Sequence, residues 1–293
     1  KAWLDVKHEG NRNCKQADYG SDAREGCVGL TTFRAFLPHI SGDWHCLKHH
    51  ELYFDIAENV HAYPQAQFKT AASPFAVTQS AYDISRPGLK PESDWAYAVG
   101  YRYSDKFMDA TVHAYRVNFF NRLQMISSGA IINPQTIVAN VGGITMNGVD
   151  AGLTIRPVRG LVFTNSLSYN HSTYDQNVQS GGMLYATKGA QVVAYPQFMY
   201  KTALSYTWHD LEAHIDASYT SRRNLSYTGD TKVPSYWLTN FGTRYNLTNF
   251  LKSSGRDQFV KGLEIDFSVY NLSNSHYVST MGENGFPLSG DYQ

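Results

Sequence analysis

The sequence predicts an all-β chain whose antiparallel strands form a transmembrane β-barrel meander. Three observations support this prediction. Apolar and polar residues alternate within segments of about ten residues, short and long connections alternate between the segments, and no stretch is apolar enough for a membrane helix. Alternating segments of this length are typical of membrane β-barrels, whereas one helical span needs about 20 consecutive apolar residues.

The composition argues against several other classes of protein. The 293 residues include 25 Lys+Arg and 25 Asp+Glu, so the formal net charge is zero and no basic surface for nucleic acid is expected. Charged residues make up only 17% and aromatic residues 14%, which disfavours disorder. The longest charge-free stretch, residues 123–149, contains Asn133, Pro134 and Gly142 among its interruptions, so it does not read as a membrane helix.

The cleanest alternation lies in the segment from Leu211 to Arg222. A strand points successive side chains to opposite faces, so one face of this segment is apolar. That face holds Leu211, Ala213, Ile215, Ala217 and Tyr219. The opposite face carries the polar residues Glu212, His214, Asp216 and Arg222. A helix would mix the two sets on every face, so the segment is predicted as a strand.

Similar alternation recurs along the chain and gives about ten strands of the length that a bilayer requires. It is found at residues 94–103, 110–119, 149–156, 161–170, 203–208, 237–245 and 263–270. Short connections are predicted near residues 48, 105, 158, 210 and 255, all at one end of the meander. Long connections at 65–91, 127–138 and 175–194 should share the other end. Residues 1–30 are polar and Gly-rich and are predicted to be a loop region preceding a barrel region at 31–293.

The cysteines and histidines allow two further hypotheses. Cys14 and Cys27 lie in one polar segment and could form a disulfide in an oxidising compartment, the alternative being three unrelated thiols that include Cys46. His39, His45, Cys46, His49 and His50 have spacings that invite a zinc interpretation. We expect no metal site there, because adjacent residues such as His45 and Cys46 point to opposite faces of a strand.

Several short motifs resemble the carboxy-terminal half of the barrel of TonB-dependent outer-membrane receptors, in matching order and spacing. They cover nearly the whole chain after residue 30. The motifs are Phe36-Leu37-Pro38, Ala57-Glu58-Asn59-Val60, Leu89-Lys90-Pro91-Glu92-Ser93 followed by residues 97–103, Met146-Asn147-Gly148-Val149-Asp150-Ala151-Gly152, and Val269-Tyr270-Asn271-Leu272-Ser273-Asn274.

This resemblance implies a receptor and transporter rather than an enzyme, in the outer membrane of a Gram-negative bacterium. Members of the family close a 22-stranded barrel with an amino-terminal plug and import ferric siderophores, cobalamin or saccharides. The implied partners are outer-membrane lipid, a small-molecule ligand, and TonB only through the missing amino-terminal plug region; no cofactor and no nucleic acid are implied. The sequence shows neither plug nor TonB box and ends at Asp291-Tyr292-Gln293 instead of an aromatic residue. It is therefore expected to be a barrel fragment.

Within such a receptor, two groups of residues are candidates for contact with the solute. The long connections offer Tyr82, Arg86, Gln135 and Tyr185, and the lumen wall offers Glu212, His214, Asp216 and Arg222. The alternative for the wall residues is that they are ordinary hydrated side chains in cross-strand pairs. Two rival functions also stay open: a secreted carbohydrate-binding β-sandwich or β-helix module, and a passive porin. A second protein layer over the apolar strand faces would favour the first rival.

Overall fold

The computed structural model describes residues 4–8, 30–34, 36–61, 85–128, 135–180, 183–248, 263–279 and 286–289. In those ranges the chain is almost entirely β, with one short 3₁₀ helix at Arg86–Gly88. No helix found there has the length and apolarity to cross a membrane. The strands, in chain order, are β1 Leu4–His8, β2 Leu30–Arg34, β3 His39–Leu47, β4 His50–His61, β5 Glu92–Ser104, β6 Met108–Phe120, β7 Leu123–Ser128, β8 Gln135–Asn140, β9 Ile144–Ile155, β10 Leu161–Tyr174, β11 Val178–Ser180, β12 Met183–Tyr185, β13 Phe198–Trp208, β14 Leu211–Thr220, β15 Arg223–Asn224, β16 Lys232–Val233, β17 Tyr236–Asn246, β18 Glu264–Val269 and β19 Phe286–Pro287.

Ten of these strands form one antiparallel sheet, in the order β18-β17-β14-β13-β10-β9-β6-β5-β4-β3. Each strand pairs with the one that precedes it in the meander. The remaining strands form small separate sheets before β3, within the connections and after β18. The predicted meander of about ten strands is therefore confirmed. Its longest strands have 12 to 14 residues, enough to cross a bilayer at the tilt of a barrel.

The short connections lie together at one end of this sheet, as predicted. Backbone hydrogen bonds link each to its neighbour: Ser104 N donates to His49 O at 3.2 Å, Arg156 N to Phe107 O at 2.6 Å, Thr207 N to Gly160 O at 2.8 Å, and Asn246 N to Asp210 O at 2.8 Å. The connection near residue 255 joins β17 to β18 at this same end, although residues 249–262 lie outside the described ranges. The long connections consequently leave the sheet at the opposite end.

The turn between β5 and β6 shows how one short connection is fixed. Asp105 Oδ1 accepts hydrogen bonds from the backbone N–H of Phe107 at 2.8 Å and of Met108 at 2.7 Å. The Tyr103 hydroxyl donates to Asp105 Oδ2 at 2.9 Å. The hydrogen bond from the Phe107 N–H, followed by those from the Met108 N–H and the Tyr103 hydroxyl, holds the pKa of the Asp105 carboxyl below its ordinary value. An aspartate whose side chain accepts hydrogen bonds from the backbone of its own turn favours a tight turn.

One face of the ten-stranded sheet, the apolar face, is covered by no second sheet or helix within the described residues. Ile215 is 46% exposed, and its cross-strand neighbour Leu204 is 43% exposed. The face also holds, among others, Phe54, Val99, Val112, Phe163, Tyr206, Trp208, Trp237 and Phe267, all of them exposed. A β-sandwich would bury such a face against a partner sheet. The sandwich interpretation is therefore not supported by the structure.

The opposite face, the polar face, carries aromatic rings laid flat over glycines of the neighbouring strand. A Cβ atom placed on Gly100 would lie 2.2 Å from Tyr53 Cζ, and one on Gly148 would lie 2.2 Å from Tyr115 Cζ. His214 covers Gly242 in the same manner, at 2.5 Å. Only glycine leaves room for these rings, so the glycine positions within the strands reflect a close approach of side chain to backbone.

The buried hydrophobic residues gather at the long-connection end instead of between sheet layers. We call this cluster the loop core; its fully or nearly fully buried members are Ile126, Val141, Ile144, Tyr174, Val178, Val192, Val193, Tyr227, Phe286 and Leu288. They come from β7, from the β8–β9 link, from the start of β9 and the end of β10, from the 175–197 and 221–235 connections, and from the segment after β18. The long connections thus pack on one another.

Three sequence expectations differ from the structure in detail. The 127–138 and 175–194 connections, predicted as irregular, contain the β7–β8 and β11–β12 hairpins. Strand β14 ends at Thr220, two residues before the predicted end. Leu4–His8, predicted as loop, is a strand that pairs with Leu30–Arg34. The hairpins form because the loop core gives their apolar residues a place to pack, which local alternation does not reveal.

Candidate functional site

The polar face is a wall of hydroxyl, amide and paired charged side chains. Three arginines on or beside it each contact a carboxylate: Arg102 with Glu51 at 2.8 Å, Arg156 with Asp109 at 2.6 Å and Arg244 with Asp266 at 2.8 Å. The Arg102 guanidinium also stacks on the Tyr53 ring, 4.3 Å from its centroid. These partly exposed pairs fix side-chain positions more than they add stability.

Three of the predicted wall residues share one part of this face, on β14. Glu212 lies directly opposite Arg244 in the β14–β17 register. Asp216 Oδ2 accepts a hydrogen bond from Asn240 Nδ2 at 2.8 Å. Together with His214 they border a concavity of about 260 Å³. The His214 ring lies against Gly242.

Arg222, the fourth predicted wall residue, is not in the ladder. Strand β14 ends at Thr220, and Arg222 lies exposed in the link to β15. The alternation assigns Arg222 to the same face as Glu212, His214 and Asp216 only because all four positions are even-numbered. Parity fails here because the last backbone contact with β13 is made by Ser221, whose N–H donates to Phe198 O at 2.9 Å. Arg222 lies beyond that contact, outside the strand.

The predicted loop residues belong to three long connections, all at the same end of the sheet. Arg86 begins the 3₁₀ helix, Gln135 is the first residue of β8, and Tyr185 is the last residue of β12. Tyr82 lies outside the described residues. A role of these four in ligand contact stays a prediction, which we take up below.

The histidines near the β3–β4 turn contact carboxylates and backbone rather than one another. His39 Nε2 lies 2.6 Å from Asp55 Oδ2, and His45 Nδ1 lies 3.6 Å from Asp43 Oδ2. Cys46, on β3 as predicted, points its thiol at His50 O at 3.7 Å. Cys14 and Cys27 lie outside the described residues, so their disulfide stays a prediction.

Sequence reasoning missed a buried acidic pair at the start of β5. Glu92 and Asp94 are each only 5% exposed. Glu92 accepts hydrogen bonds from Arg122 Nη1 at 2.5 Å and from the backbone N–H of Leu123 at 3.0 Å, while Asp94 accepts one from Asn59 Nδ2 at 2.9 Å. These contacts tie the start of β7 to β5 and reinforce the pairing of β5 with the end of β4. Glu92 does belong to one of the motifs quoted above, which was a usable signal.

A sheet with an uncovered apolar face, a hydrated and charge-paired opposite face, and long connections gathered at one end is the wall of a transmembrane β-barrel. Comparison with known proteins gives the family. The model of the TonB dependent receptor-like β-barrel domain matches residues 12–272. The chain belongs to this family, which comprises receptors and transporters rather than enzymes.

Solved structures of the same fold resemble the chain at low sequence identity. The ferric preacinetobactin receptor BauA of Acinetobacter baumannii is 16% identical, with a TM-score of 0.58 over 87% of this chain and 34% of its own. The siderophore receptor PiuA of the same species is 15% identical, with a TM-score of 0.61 over 90% and 34%. The copper transporter OprC is 15% identical, with a TM-score of 0.60 over 85% and 35%. The chain thus spans about a third of the length of each. Among curated protein sequences, none matches.

Proposed function

We propose that this chain forms part of the barrel wall of an outer-membrane receptor that imports a scarce nutrient with energy delivered through TonB. The observation that carries the proposal is the two-faced sheet: its apolar face suits lipid, and its polar face suits a water-filled lumen. The named neighbours are a ferric preacinetobactin receptor, a siderophore receptor and a copper transporter, which makes a ferric siderophore the first candidate solute. Cobalamin and saccharides remain the other classes to test.

The clustering of the long connections supports a ligand-gathering role for that end. In a barrel the long connections face outward from the cell. Arg86, Gln135 and Tyr185 lie on three of these connections, and Tyr82 belongs to the same connection as Arg86. We propose that they contribute to ligand contact, and that Glu212, His214 and Asp216 line the lumen below.

Uptake by the intact bacterium tests the proposal. The gene that encodes this chain is deleted in its host, and uptake of a radiolabelled ferric siderophore, cobalamin and an oligosaccharide is compared with the parent strain. We expect the deletion to abolish uptake of one of them, and loss of TonB to abolish it equally. Uptake that persists without TonB would indicate a passive porin. Recovery of the polypeptide in the soluble secreted fraction would indicate a binding module instead.

A further inference from the structure

The polar face contains a bay built around one lysine. Lys201 on β13 lies between Ser166 of β10 and Ser218 of β14 in register. The same cross-strand row continues through Gly152 and Thr111. Because a long side chain is flanked by very small ones, the sheet surface is concave there, with a volume of about 460 Å³.

Lys201 differs from the arginines of this face in having no carboxylate partner among the described residues. Arg102, Arg156 and Arg244 are each paired within 2.8 Å of an acid. The two acids at the rim of the bay are engaged elsewhere. Asp109 contacts Arg156, and Asp216 accepts from Asn240 on β17, the strand on the far side of β14 from Lys201.

The chemistry of the bay favours an anion rich in oxygen. The Lys201 ammonium supplies positive charge and three N–H donors. The hydroxyls of Ser166, Ser218, Thr164 and Thr111 border the same space and can donate to or accept from further oxygens. Among the described residues of this face, the arginines are paired with carboxylates while the Lys201 ammonium lies among hydroxyls, so the bay attracts a solute bearing carboxylate or phenolate oxygens.

We infer that the Lys201 bay is a transient binding site on the lumen wall for an anionic oxygen group of the imported solute. This inference deepens the proposed import function and rests on it for the identity of the occupant. It commits the solute to carrying an anionic oxygen group. A carboxylate from another part of the same receptor could instead occupy the bay, and the experiment below separates the two.

Thiol labelling of the complete receptor in outer membranes measures the charge and access of the bay without needing the solute. Ser166→Cys places a thiol on the strand next to Lys201, at about 5 Å strand spacing. The membranes are treated with a sulfonate-bearing and with a trimethylammonium-bearing methanethiosulfonate, and labelling of the receptor lacking the new cysteine is subtracted. The measured quantity is the ratio of the two rates, anionic over cationic.

We expect Lys201→Met to lower this ratio about threefold at physiological salt and more at low salt, since one charge acts oppositely on the two reagents. Lys201→Arg should keep the ratio. A cysteine at Ser205 is the matched control: it lies on the same strand and face, about 13 Å away, which exceeds the screening length of about 8 Å. Its ratio should change little.

Two results would overturn the inference. An unchanged ratio at position 166 in Lys201→Met would show that the lysine creates no local preference for anions. Failure of both reagents to reach the cysteine at 166, while the one at 205 reacts, would show that protein covers the bay. Either result leaves the import function intact, because that function is judged by uptake and not by labelling.

Discussion

The Tyr227 hydroxyl donates a hydrogen bond to the carbonyl oxygen of Met125, 3.1 Å away and 102 positions earlier in the chain. The Tyr227 ring is fully buried beside Tyr174 and Phe286. Its backbone N–H donates to Pro287 O at 3.0 Å. One residue therefore joins three long connections, which makes it the central contact of the loop core.

Shortening Tyr227 should loosen these connections together. Tyr227→Phe removes the hydroxyl donor and should cost about 1 to 2 kcal/mol of local stability. Tyr227→Ala also leaves a cavity and should cost about 3 to 5 kcal/mol. Hydrogen exchange of amides at 225–231 and 286–289 in the intact receptor measures both. Tyr270→Phe, at a residue 77% exposed, is the control and should change nothing. Faster exchange confined to 225–231 would contradict the shared core.

The apolar face should reject charge. Ile215 is uncovered on β14, so Ile215→Arg near the bilayer midplane should cost about 2 to 4 kcal/mol, because the charge loses water and gains no partner. His214→Arg, one residue away on the polar face, should cost little. Urea unfolding of the receptor in lipid vesicles compares the two variants. Equal destabilisation would mean that the two faces do not differ in environment.

The ring-over-glycine contacts should be sensitive to a single methyl group. Gly148→Ala places a Cβ atom on the Tyr115 ring and disturbs its hydrogen bond from Asn170 Nδ2, so we expect a cost of about 1 to 3 kcal/mol. Tyr115→Ala in the same chain should recover most of the steric part. Gly152→Ala is the matched control, since it meets only Thr111 Oγ1 at 3.0 Å. Unfolding of the receptor in vesicles provides the comparison, and additive effects of the two changes would exclude the proposed clash.

The β5–β6 turn should weaken in acid. The Asp105 carboxyl has a lowered pKa in the folded chain, so its contribution is present above its unfolded pKa of about 3.9 and is lost as pH falls through the lower folded value. Asp105→Ala should remove this pH dependence and expose the amides of Phe107 and Met108. Their hydrogen exchange between neutral and strongly acidic pH gives the readout. The same acid-induced change in Asp105→Ala would mean that another group controls the turn.

The sequence was informative about the sheet because each strand has its own two-residue period. Leu211 to Thr220 could be assigned to a strand, and its faces distinguished, with no knowledge of its neighbours. The loop core was not predictable in this way. Phe286 and Leu288 lie in a short segment without periodicity, and they are buried only because Ile126 and Tyr227 arrive from distant parts of the chain. Contacts of such long range leave no local trace.

The candidate site, like the fold, could be predicted from the sequence only in part. Parity identified Glu212, His214 and Asp216 as one polar row, but it also included Arg222, because the point where a strand leaves its sheet depends on tertiary contacts. Nothing in the sequence distinguished Lys201 from other lysines. Lys201 stands out only in the folded chain. The strand register places small residues beside it on both neighbouring strands, and the nearby arginines are paired with carboxylates.

The shared loop core has a consequence for receptor engineering and for immune recognition. Transplanting the 221–235 connection alone into another barrel would separate Tyr227 from Met125 and Phe286 and leave the tyrosine unpacked in the recipient. Chimeras should therefore exchange the outward connections as a set. For the same reason, antibodies against this surface should recognise a discontinuous epitope that isolated loop peptides do not reproduce.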